Sequence, residues 1–242
     1  MYALWRKEIS QFLGSVFTYL IVGIFLVSLS LFLFFFNGDY NILEAGYASL
    51  DSFFFLVPKL LVVFIPAITM RSFSDEIKTG SIELLMIYPI SELKIVLAKF
   101  TSILTILLLS ILPTIFYVYI VYQLSDLGDI DIKSIFGAYI ALFFLSMIFC
   151  SVGIFISSLT NNNVISFVFS SFLCFFIYLG FEKIADYNVI GSLDFLLKRI
   201  GLQEHYLSMV KGVLDIQSLI YFFSITSLFI LLTEFKLKAT KW

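Results

Sequence analysis

MRSFSDEIKTGSIELLMIYPISELKIVLAK, residues 70–99, is the only long polar interruption in the first half of the chain. It carries Arg71, Lys78, Lys94 and Lys99 together with Asp75, Glu76, Glu83 and Glu92. On both sides of it run apolar stretches of about 20 residues, the length needed to cross a bilayer core. The 242 residues are 61% hydrophobic and 13% charged, with a mean hydropathy of +1.05. A soluble domain carries about 25% charged residues. The sequence therefore reads as an all-α integral membrane protein. A net charge of −2 points to no nucleic-acid partner.

Working outward, six spans are expected, at about residues 17–36, 52–70, 100–122, 135–159, 164–181 and 218–233. Residues 1–15 read as an amphipathic helix. Trp5, Ile9, Phe12, Leu13 and Val16 fall on one face and Arg6, Lys7, Ser10, Gln11 and Gly14 on the other. A basic face opposite Trp and Phe suits a helix lying in the headgroup region; the alternative is a cytosolic extension of the first span. A cleaved signal peptide is not expected, because the apolar run is too long and no A-x-A-like site follows it.

The connecting loops set the orientation. Residues 37–50 hold no Lys or Arg, and residues 123–133 are acidic, with Asp126, Asp129 and Asp131. Residues 160–163 form a polar turn. Six spans leave both termini on one side, together with the 70–99 loop. That side collects Arg6, Lys7, Arg71, Lys78, Lys94, Lys99, Lys236, Lys238 and Lys241; the other collects Lys133, Lys183, Lys198, Arg199 and Lys211. The excess of positive charge predicts that termini and loop face the cytoplasm. Residues 182–217 are too apolar for a free loop. Leu193, Leu196, Leu197 and Ile200 recur at helical spacing, as do Tyr206, Met209, Val210 and Val213. Two short outer helices are expected there, either interfacial or dipping into the membrane.

Within the decisive stretch, residues 71–78 extend the second span as a helix. Thr79-Gly80-Ser81 breaks it, since Gly accepts backbone shapes other residues resist. Ser81 suits a new helix start with Glu83 near its positive end. Ile82, Leu85 and Met86 give that short helix an apolar face, and Pro89 stops it. Ser91 caps the next helix, with Glu92 in its first turn. Such an element passes a push from outside the membrane into two spans at once. The plainer reading is an amphipathic connector resting on the membrane surface.

Other residues carry weaker signals. Lys59 lies inside the second span beside Pro58, and an ionisable residue there is costly enough to suggest a role in a translocation path. Alternatively it snorkels toward the outer face, near Asp51. Pro58, Pro66 and Pro113 free backbone carbonyls and bend helices, as hinges or as packing kinks. His205, the only histidine, reads as a surface residue. Cys150 and Cys174 lie in apolar runs and read as buried thiols. No metal site or cofactor is expected. The chain has no G-x-x-x-x-G-K-[ST] phosphate loop; Lys78-Thr79-Gly80-Ser81 has the wrong order.

Glu76 to Ser91 reads E-x-K-x-G-S-x-E-L-L-x-x-x-P-I-S, which resembles the cytoplasmic loop of ABC-2 type transporter permeases. The similarity extends upstream to Pro66-Ala67-Ile68-Thr69-Met70-Arg71-Ser72-Phe73. It also takes in the amphipathic N-terminal helix and the Gly153-x-x-x-Ser157-Ser158-Leu159-Thr160 pattern after the fourth span. Within the family, Lys211-Gly212-Val213-Leu214-Asp215-Ile216 leading into Tyr221-Phe222 is similar to the gliding-motility-associated permease subunits. The resemblance implies a single transmembrane domain over residues 1–242 in a bacterial inner membrane. It implies an exporter subunit, with outer re-entrant helices as a lid over the path. It also implies two partners: an ABC ATPase subunit, which supplies the ATP chemistry, and a second permease chain, identical or related. The ATPase would engage the loop, at Asp75, Glu76, Lys78, Gly80, Ser81, Glu83, Leu84, Leu85 and Pro89.

Two other classes compete. An ion-coupled secondary carrier needs ionisable groups clustered at mid-membrane, where only Lys59 stands out, and the halves show no obvious repeat. A rhomboid-like intramembrane hydrolase needs a serine paired with an intramembrane histidine. His205 lies outside the expected spans and no G-x-S-x-G elbow occurs.

Overall fold

The computed structural model describes residues 2–44, 49–83, 90–124, 131–186, 201–212 and 215–240. Among these the chain is helical, with no strand. Six helices or helix pairs are long and apolar enough to cross a membrane. Helix α1 (Tyr2–Leu13) precedes the first of them, α2 (Val16–Phe34). Helices α3 (Asp51–Thr69) and α4 (Arg71–Thr79) form the second rod, bent at Met70. The third is α5 (Glu92–Ile111), continued through a 3-10 turn at Leu112–Thr114 into α6 (Ile115–Leu124). The fourth is α7 (Ile132–Leu159). The fifth joins α8 (Asn163–Phe175) through a π-helical turn at Phe176–Gly180 to α9 (Phe181–Asp186). After α10 (Leu202–Val210), α11 (Ile216–Thr240) is the sixth.

Helix α7 is the centre. Of the residues in its apolar stretch 72% are buried, against 22% in the fifth span and in α11. It is apolar all round, as a helix surrounded by others must be. Helices α3, α4, α5, α8, α10 and α11 all pack on it. Its inner surface is rich in small residues, among them Gly137, Ala138, Ala141, Ser146, Ser151, Gly153 and Ser157. Small side chains let helices approach closely where no water-driven force pushes them together. At Gly153 the approach to α3 is closest: a Cβ there would lie 2.0 Å from Thr69 Oγ1. Helices α2, α8 and α11 instead turn Val27, Phe172 and Leu231 outward, each more than half exposed, as suits a lipid-facing surface.

The helix expected to start after Ser91 runs without a break from Glu92 into the third span, with Lys94 exposed on it and Lys99 buried. Ser91 occupies the cap position of α5, but its side chain makes no capping bond. Its carbonyl alone accepts, from Lys94 N at 2.9 Å and Ile95 N at 3.3 Å. Side chains do cap elsewhere: Asp131 on α7 and Asn162 on α8 each accept two backbone N–H groups, and Asp215 before α11 accepts one. Helix α1 is separate from α2, with a bend at Gly14-Ser15. Leu13 at its end and Val16 at the start of α2 are exposed, while Glu8 turns into the bundle and is only 3% exposed. Helix α10 buries Tyr206, Met209 and Val210 on one face, as their spacing predicts. Its expected companion around Leu193, Leu196, Leu197 and Ile200 lies outside the described residues, as do Val213, Asp126 and Asp129.

Candidate functional site

The rod formed by α3 and α4 bends at Met70, four residues after Pro66. The first N–H groups of a helix lack partners within it. Here a side chain from another helix supplies one. Ser157 Oγ on α7 accepts from Phe73 N at 3.0 Å and Ser74 N at 3.1 Å, and donates to Met70 O at 3.0 Å. One hydroxyl thus ties together both sides of the bend. Gly153 stands one turn before Ser157 on the same face of α7, where it admits Thr69. Asn163, at the start of α8, completes the seat: its Nδ2 donates to Asp75 Oδ1 at 2.6 Å, and its Oδ1 accepts from Ser74 Oγ at 2.7 Å.

The other side of α4 faces Lys99, which is 1% exposed. An ammonium has three N–H donors, and all three are used. Lys99 Nζ donates to Ser72 O at 2.8 Å, Glu76 Oε1 at 2.9 Å and Glu8 Oε1 at 3.1 Å. It also lies 5.0 Å from the centre of the Phe73 ring. Burying an ion is costly unless geometry and hydrogen bonds are complete, and here they are complete at Lys99. The outcome is a joint: α1, α4 and α5 meet on one cation, and α4 is held from behind by α7 and α8.

The residues expected to engage a partner divide between this joint and the surface. Asp75 and Glu76 point into the joint, and Glu76 retains only 13% of its side-chain exposure. Lys78, Gly80 and Glu83 are exposed and Ser81 is half-buried. Gly80, at φ +73°, ends α4 in the left-handed region that disfavours side chains. Leu84, Leu85 and Pro89 lie outside the described residues, as does Met86. The sequence reading missed Glu8 and Lys99 as a site. The signal was present: Leu4, Glu8 and Phe12 share one helical stripe, so an acid stands in an apolar row.

At the opposite end, Lys59 is exposed on α3 and donates to the Tyr40 hydroxyl, with Nζ 4.9 Å from that ring's centre. Tyr40 belongs to the loop after α2, so Lys59 reaches toward that end of the bundle. Pro58 has no N–H for the carbonyl of Phe54, one turn earlier. Tyr206 on α10 donates to that carbonyl at 2.8 Å and is fully buried. Burial pushes the Tyr206 phenol well above its ordinary value, so it stays a donor. His205 is not a plain surface residue. It stacks on Tyr221 at 4.4 Å and shares a hydrogen bond with Ser218 at 3.0 Å, which staples α10 to α11.

A family model described as ABC-2 family transporter protein matches residues 3–238. With six apolar spans, this nearly full-length match makes the chain a member of the ABC-2 family of transporter membrane proteins. No curated protein sequence matches it significantly. Membership makes it the transmembrane, generally non-catalytic component of an ABC transporter, which pairs with an ABC ATPase subunit.

Proposed function

We propose that this chain is one permease subunit of an ABC exporter, a single transmembrane domain over residues 1–242. Its α4 and the following loop receive the motion of the ATPase. The observation that carries this reading is the joint on Lys99 and Ser157. A partner pressing on Lys78, Gly80, Ser81 and Glu83 moves α4, and α4 cannot move without α1, α5 and α7. Leu84, Leu85 and Pro89, outside the described residues, are assigned to the same engaging segment from the sequence alone. Asp75 and Glu76 act one step behind it, transmitting the motion and not touching the partner. The loop and both termini face the cytoplasm of a bacterial inner membrane, in keeping with the excess of Lys and Arg on that side. A second permease chain, identical or related, completes the path. The pattern from Lys211 to Ile216 supports a link to gliding motility.

The test is co-purification of the ATPase with the full-length chain from native membranes. Lys78→Glu combined with Glu83→Lys is expected to abolish recovery of the ATPase while membrane insertion and thermal stability stay unchanged, because these groups are exposed. Recovery at the unaltered level would sink the docking assignment. A cysteine placed at Glu83 should react with a membrane-impermeant thiol reagent only after the inner face is opened. Clustering of ionisable groups does not favour the carrier reading: the buried charges Glu8, Glu76 and Lys99 lie together at the terminal end and not at mid-membrane.

A further inference from the structure

Beside the joint, where α1 turns into α2, a cleft of about 110 Å³ opens between α1, α2, α4 and α5. That is well above the ~15 Å³ that one water needs. Its polar wall includes Gln11, Ser15, Arg71, Ser72 and Glu76. Two of its buried atoms, Ser72 Oγ and Glu76 Oε2, have no hydrogen-bond partner among the described residues. Ser72 is only 5% exposed. Buried polar groups are nearly always satisfied, so each exception needs an explanation. Arg71 lies at the same cleft with its guanidinium 3.8 Å over the Phe17 ring and its side chain exposed. The stack fixes a cation in place while leaving its N–H groups available.

A second, apolar crevice adjoins the first. It runs between α2, α3 and α5, lined by Phe25, Leu61, Phe64 and Leu107, and the two share Ile21 and Ile68. The first cleft is therefore a charged groove beside the first turn of α2, where the first span begins, and the apolar crevice next to it is small, with about 10 Å³ of free space. Outside it, Tyr19, Leu20 and Ile24 of α2 are half-exposed or more, as lipid-facing residues would be.

We infer that this groove holds one phospholipid whose headgroup carries both a phosphodiester and a primary ammonium. Arg71 takes the phosphodiester, with the paired N–H groups that suit phosphate oxygens. The ammonium donates to Glu76 Oε2 and Ser72 Oγ, which supplies the partners both atoms lack. The lipid's acyl chains stay in the surrounding membrane, against exposed apolar residues of α2 such as Leu20 and Ile24. A quaternary ammonium has no N–H to donate, and a glycerol headgroup offers only neutral hydroxyl donors, which bond a carboxylate more weakly than an ammonium does. The bound lipid braces α1 against the spans beside Lys99, which also lines the cleft. This inference needs membrane embedding but not the docking role of the loop, and its readout involves no ATPase.

The test uses the purified full-length chain in detergent micelles. Phosphatidylethanolamine, phosphatidylcholine and phosphatidylglycerol with the same acyl chains are added separately, followed by native mass spectrometry and thermal unfolding. Phosphatidylethanolamine should be retained about tenfold better than the other two, the ratio one charge-assisted hydrogen bond supplies. It should also raise Tm. Ser72→Ala should leave Tm of the lipid-free protein unchanged or higher, since it removes an unsatisfied hydroxyl, yet reduce the preference several-fold. Arg71→Gln should weaken all three lipids. Equal retention of the three lipids, or retention of none, overturns the proposal, as does a Ser72→Ala preference equal to the parent's. Stabilisation by soluble glycerophosphoethanolamine alone would assign the cleft to a soluble ligand and overturn the lipid reading.

Discussion

The two ends of the bundle are held by different chemistry. At the terminal end, α1, α4 and α5 meet on the buried cation of Lys99, and α4 is seated on α7 through hydroxyl and amide groups. At the far end, α10 packs on α7 and meets α3 through one phenol on a proline's orphan carbonyl and α11 through His205 and Ser218, among edge-to-face rings such as Tyr178 and Tyr206, 6.3 Å apart. Ionic joints lose much when one partner goes, because the remaining charges stay buried. A single neutral hydrogen bond loses less and can open and close.

The largest expected effect is at Lys99. Lys99→Met strands two carboxylates and should cost ~3–5 kcal/mol, read as a large fall in Tm in detergent. Adding Glu8→Gln and Glu76→Gln should recover much of it, because no unpaired buried charge remains. A Lys99→Met protein as stable as the parent would mean that the joint holds nothing. The next effect is at Tyr206. Tyr206→Phe leaves the Phe54 carbonyl unpaired and should cost ~1–2 kcal/mol. Pro58→Ala restores an N–H to that carbonyl, so in its background the same change should cost almost nothing. Equal costs in both backgrounds would break the assignment of Tyr206 to the proline's vacancy. The smallest effect is at Lys59. Lys59→Leu should shift stability by less than ~0.5 kcal/mol, as for an exposed side chain, and leave transport intact. Loss of transport would return Lys59 to the translocation path.

The span pattern was legible because runs of Val, Ile, Leu and Phe long enough for a bilayer have few other uses. The break at Gly80 was legible for a similar reason, since backbone shape there is local. Glu8 and Lys99 were not. Each looks like an ordinary charge at the edge of an apolar run, and 90 intervening residues separate them. Ser157 stood in a noted pattern, but its capping of a helix 83 residues away depends on how α7 packs.

Composition and periodicity alone determined that this chain is helical and membrane-embedded, with a polar stretch between its second and third spans. Those properties are sums over neighbouring residues, and neighbours are what a sequence records. Which charges turn inward, which hydroxyl seats the bend and which phenol answers Pro58 were decided by the tertiary structure. Each depends on two helices, distant along the chain, arriving at one place with matching donors and acceptors.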